Sequence, residues 1–150
     1  MTTKLTPDEL FDHAEQHRQV SQKLMTQRTN LQAKHQGFIN TGASLEKINQ
    51  IKENIQERNS KITQEILKAQ ELDTQGMRDI LVETDLQNAK IEIDKATKKV
   101  LEAVENLDDI RKSLQFVDLF IRLGGAIVNA TITGNPAAQI KAIVKAIDAL

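Results

Sequence analysis

The chain of 150 residues has no cysteine, tryptophan or tyrosine, and only four phenylalanines, two prolines and six glycines. Without cysteine there is no disulfide, no thiolate nucleophile and no sulfur-ligated metal. Aromatics at 3 % leave no platform for stacked bases, and 20 basic against 21 acidic residues leave no basic face for a phosphate backbone. Nucleic acid is therefore not an expected partner. Met1 to Leu10 holds one lysine and no apolar run, so no signal peptide is expected and the cytosol is the default compartment. Walker loops, dinucleotide glycine fingerprints, HExxH, GxSxG and EF-hand loops are all missing. The carboxylates read as members of solvated helical faces, with nothing to raise a pKa or exclude water. No catalytic residue, cofactor or metal is expected, and the chain is not expected to be an enzyme.

What remains is helical periodicity. Thr6-Pro7-Asp8-Glu9 reads as a capping box with proline at N1. From Leu10 a seam steps by four and three through Ala14, His17, Ser21, Leu24, Arg28, Leu31, His35 and Phe38. The cluster Gly37 to Gly42 should end this first helix. A second helix starts at Ser44 and carries Ile48, Ile51, Ile55, Ile62, Ile66 and Ala69 on one face, until Gly76 breaks the phase. Thr84-Asp85-Leu86-Gln87 resembles another capping box, which favours a turn near 80–84. From Leu86 the steps of three and four run through Ala89, Ile93, Ala96, Val100, Ala103, Leu107, Ile110, Leu114, Val117 and Ile121 to Gly124. Thr133-Gly134-Asn135-Pro136 then supplies a stop and a new start. Glu57–Lys61, Asp94–Lys98 and Asp108–Lys112 are spaced to pair along the outer faces.

The expected architecture is one all-α domain over 1–150, an elongated antiparallel three-helix bundle or coiled coil with an apolar C-terminal helical hairpin. Its helices should span about 6–40, 45–80, 85–132 and 136–149. Helices of about 35 residues are roughly 50 Å long, so residues beyond 120 overhang the bundle.

Two features carry possible chemistry. His13 and His17 lie four apart with Glu9 one turn earlier, a spacing that suits a divalent ion. No ExxH carboxylate partner of the di-iron type accompanies them, so a polar pair in the seam is the expected reading. The other feature is the C-terminal segment. From Phe116 to Ile132 the only full charges are Asp118 and Arg122, spaced to neutralise one another, and Gly124-Gly125 sits between them and the end. Gly124 and Gly125 suit a hinge or close helix packing. Phe116, Val117, Phe120, Ile121, Leu123, Ile127, Val128 and Ile132, with Ile140, Ile143, Val144 and Ile147 beyond the turn, are the expected contact residues. They could close the core, or face a protein partner or a membrane. The expected function is a non-enzymatic interaction module that self-associates as a homo-oligomer or docks a protein partner through this hairpin. The alternative is a membrane-active helical protein, pore-forming or lipid-adsorbing, that inserts residues 116–150 under some condition; a permanent anchor is not expected.

Overall fold

The computed structural model describes residues 4–84, 86–105, 110–133 and 138–150. The chain is all-α. Two long helices, α1 (Pro7–Thr41) and α2 (Leu45–Met77), form an antiparallel hairpin, followed by α3 (Ala89–Glu105), α4 (Ile110–Thr133) and α5 (Ala138–Ala149). A two-residue antiparallel bridge joins β1 (Lys4–Leu5) to β2 (Val82–Glu83), with Leu5 opposite Val82.

The start of α1 follows its sequence signal. Thr6 Oγ1 accepts from the Glu9 amide at 3.2 Å, and the Glu9 carboxylate accepts from the Thr6 amide at 3.3 Å. At the other end Gly42 takes φ +70°, the left-handed conformation that lets its N–H turn back to Ile39 O. Ser44 then caps α2, so three residues reverse the chain. α2 stops at Met77. The turn after it uses Asp79 at φ +59° and Asn88 at φ +54°, residue types that tolerate the left-handed region.

Thr84 is not the cap its context suggests. Its hydroxyl accepts from the Leu86 amide at 3.3 Å in a local turn, and α3 begins one turn later at Ala89. The seam expected to run as one helix over 85–132 is divided between α3 and α4, which pack against each other. Asn106, Asp108 and Asp109 have low helix propensity, and an unbroken heptad phase does not distinguish one helix from two that share a seam. The expected stop and cap at 134–136 lie outside the described residues, as does Leu107.

The core draws on every helix. Leu10, Ala14, Val20 and Leu24 from α1 meet Ile62, Ala69 and Leu72 from α2, Ala89, Ile93, Ala96 and Val100 from α3, and the apolar face of α4. Leu5 and Val82 of the bridge close one end. Gly76, where the α2 seam broke, lies against the Phe11 ring, 2.7 Å from where a β-carbon would stand. From residue 28 to 57 the only buried side chain is Ile51, so this half of the α1–α2 hairpin is a two-helix arm. Arg58 and Gln27 mark its base. The Arg58 Nε donates to Gln27 Oε1 at 2.9 Å, and Gln27 in turn donates to Val104 O.

Candidate functional site

The C-terminal hairpin faces two ways. Phe116, Val117, Phe120, Ile121, Leu123, Ile127 and Val128 of α4 are buried inside the chain, as are Ile140, Val144 and Ile147 of α5. Ile143 is half-buried, and Ile132 is 67 % exposed. Most of the expected contact residues therefore build the protein's own core. Asp118 does not pair with Arg122; it meets Lys61 of α2, tying α4 to the long hairpin. Asp94 likewise pairs with Lys90 at 2.9 Å rather than with Lys98.

On the outer side of the hairpin, α4 and α5 enclose an apolar groove of about 470 Å³. It is lined by the small residues Gly125, Ala126, Ala142 and Ala146 together with Leu119, Ile143, Arg122 and Asn129. Arg122 is exposed and makes no ion pair among the described residues.

Beneath α4 lies a buried polar cluster that only the fold assembles. Glu9, the expected neighbour of His13 and His17, is committed to the Thr6 cap. In its place stands Glu65 of α2, whose Oε2 is hydrogen-bonded to His17 Nδ1. His17 Nε2 lies 3.1 Å from His13 Nε2, and His13 Nδ1 lies 2.7 Å from Gln16 Oε1. Gln16 then donates through Nε2 to Asp94 Oδ1 of α3 at 2.6 Å. His17 stacks on Phe120 of α4, with centroids 4.2 Å apart and 29° between the planes, and His13 meets the same ring edge-on at 5.3 Å. Gly124 completes the wall: a β-carbon there would stand 2.6 Å from His17 Nε2.

The protons of this cluster follow from its partners. Asp94 accepts only, so Gln16 must turn its amide nitrogen to Asp94 and its oxygen to His13. His13 Nδ1 is then a donor, and the Nε2 of the neutral ring is an acceptor. His17 must donate from Nε2, which leaves Nδ1 to accept a proton from the Glu65 carboxylic acid. One all-neutral chain satisfies every contact.

Burial favours that state. It lowers both imidazoles to about 3; His17 repels a further charge on His13, with Lys90 adding to the effect, and Lys68 does the same to His17. Burial also raises the Glu65 carboxyl well above its usual range. The His17–Glu65 contact is thus a neutral hydrogen bond rather than an ion pair. Glu65 Oε1 has no hydrogen-bond partner, an orphan far less costly on an acid than on a carboxylate.

Among the described residues no group of three or more His, Asp and Glu side chains is arranged to hold a metal ion. The histidine seats were visible as polar interruptions in the α1 seam. Glu65 was not, because it lies on α2 among many other glutamates and becomes distinctive only through burial. The chain matches no known family model, no curated protein and no solved structure.

Proposed function

We propose that this chain is a non-enzymatic interaction module that self-associates through the groove between α4 and α5. The groove carries this reading. Four of its lining residues are glycine or alanine, which allows close approach of a helix backbone, and Leu119 and Ile143 supply larger apolar side chains among them. Large and small residues on one face suit a second copy related by a two-fold axis, with the large side chains of each copy seated on the small residues of the other. In this reading the other helices are an elongated bundle that presents the hairpin. The strongly perturbed titratable groups His13, His17 and Glu65 line neither this groove nor the one beside Lys68, Glu71 and Val128, which supports a binding role over a chemical one.

The test is sedimentation velocity from about 1 to 200 μM, with wild type compared with Ala142→Glu. Residue 142 is exposed, so the substitution leaves the core alone. A concentration-dependent dimer that Ala142→Glu abolishes supports the proposal. A wild type that stays monomeric throughout overturns self-association.

One observation favours a membrane as second reading. Residues Lys112–Ile132 form a stretch of 21 residues, long and apolar enough to cross a bilayer, and half of it is buried inside the protein. Insertion would require α4 to leave Phe120's seat on His17. Flotation of the full chain with vesicles tests it, with protein quantified by a method other than absorbance at 280 nm.

A further inference from the structure

We propose that His13, His17 and Glu65 are an acid-sensitive latch that holds the α4–α5 hairpin on α1 and α2 and releases it as the pH falls. It goes beyond the self-association reading and depends on the membrane reading only for where the released hairpin goes.

The three side chains belong to α1 and α2, and the surface they present to α4 is the His17 ring under Phe120 and against Gly124. His17 and Glu65 are fully buried and His13 nearly so. Phe120 lies in the middle of the apolar stretch of α4, so whatever separates His17 from Phe120 separates that helix from the long hairpin.

Every group facing the cluster makes added positive charge unwelcome or offers it little. From α1 come the two histidines themselves and Gln16. From α2 come Glu65, already neutral, and Lys68, a like charge. From α3 come Lys90, another like charge, Thr97, which donates its hydroxyl to Gln16 at 3.0 Å, and Asp94. The Gln16 hydrogen bond and Asp94 both favour an imidazolium on His13, but burial outweighs them, and Asp94 is already engaged by Lys90 and Gln16. Among the described residues, α4 contributes only Phe120 and Gly124. A proton added to the closed cluster has nowhere to be solvated. Proton uptake is therefore coupled to opening.

The sign follows from linkage. In the open state each histidine protonates near 6.5, whereas in the closed state it resists down to about 3. Opening thus takes up two protons from solvent, one onto each histidine, as the pH falls below 6.5. Glu65 acts in the opposite sense. Its acid is neutral when closed and ionises on opening above its ordinary value near 4.5, returning one proton. Between pH 6.5 and 4.5 the net uptake is one proton, and the opening equilibrium rises about 100-fold over those two units.

Glu65→Gln removes the one group that opposes acid opening. A glutamine amide can donate to His17 Nδ1 as the acid does, so the closed chain survives. It has no proton to return, so opening rises about 10,000-fold over the same interval. The reference is His13→Leu/His17→Phe/Glu65→Leu, an apolar replacement of the whole cluster that removes its titration.

The experiment measures helix unfolding in guanidinium by far-ultraviolet circular dichroism, together with dye binding to exposed apolar surface, from pH 8 to 4. Relative to the apolar triple variant, wild type should lose stability as acid is added and Glu65→Gln should lose it about twice as steeply. Equal slopes for wild type and the triple variant overturn the latch. A Glu65→Gln slope no steeper than wild type, or a Glu65→Gln protein that does not fold at pH 7, overturns it too. Flotation with phosphatidylcholine–phosphatidylglycerol vesicles at pH 7 and 4.5 separates the readings. Acid release without flotation keeps the latch and removes the membrane role, whereas flotation equal in all three proteins removes the latch.

Discussion

The His17 ring is stacked on Phe120, 4.2 Å between centroids, so a buried polar cluster rests directly on the apolar face of α4. Phe120→Ala removes a fully buried ring that both histidines touch. It should cost about 3–5 kcal/mol, with α4 losing its protection from amide exchange before α1 and α2 do. A loss below 1 kcal/mol in chemical denaturation would show that Phe120 is not the seat of α4.

Gly124→Ala adds one carbon where none fits. The new atom would stand 2.6 Å from Nε2 and 2.8 Å from Cε1 of His17. That ring cannot retreat, because Glu65 and His13 hold its two nitrogens. A loss of about 1–3 kcal/mol is expected, despite alanine's better helix propensity. Gly125→Ala meets only the Lys68 chain at ordinary contact distance and should be neutral or slightly stabilising. Melting curves of the two variants make the comparison.

Nitrogen chemical shifts of the imidazoles read the proton chain directly. At pH 5.5 both His13 and His17 should remain neutral, since burial depresses each to about 3. His13 should carry its proton on Nδ1 and His17 on Nε2. An imidazolium on either ring at that pH, with His17 still seated against Phe120, would contradict the neutral chain and return the His17–Glu65 contact to an ion pair.

Arg58 is buried without a carboxylate. Its Nε and Nη1 donate to Gln27 Oε1 and to Asn54 O, and its Nη2 has no hydrogen-bond partner. Burial lowers its pKa, against the favourable pull of Glu57. Arg58→Met keeps much of the volume and removes the charge, so it should be neutral or stabilising in guanidinium denaturation. A loss above about 3 kcal/mol would show instead that the guanidinium contributes more than its desolvation costs.

The arm should be the least stable part of the long hairpin. Between residues 28 and 57 only Ile51 is buried, whereas both flanking stretches pack in the core. Amide exchange should be faster over 30–56 than over 10–27 and 60–75. Gly42→Ala, forced into φ +70°, should cost about 1 kcal/mol and speed exchange in the arm further. Uniform protection along α1 would refute this.

Local signals were enough for the elements that depend on neighbours in sequence. The Thr6–Glu9 box, Gly42 and Ser44 delimit α1 and α2 within a few residues of where their side chains predict, because caps and left-handed turns are satisfied locally. The seam from Leu86 to Gly124 marked many of the buried residues of α3 and α4, among them Ile93, Val100, Val117 and Ile121, though not Val104, Phe116 or Phe120. Direction was not legible there: two helices sharing a phase look like one. Nor was the cluster. His13 and His17 declared themselves by a spacing of four, but Glu65 is 48 residues beyond His17 and Phe120 a further 55 beyond Glu65. Only the packing of α1, α2 and α4 brings them together, and only the exclusion of water there turns an ordinary glutamate and two ordinary imidazoles into a neutral chain.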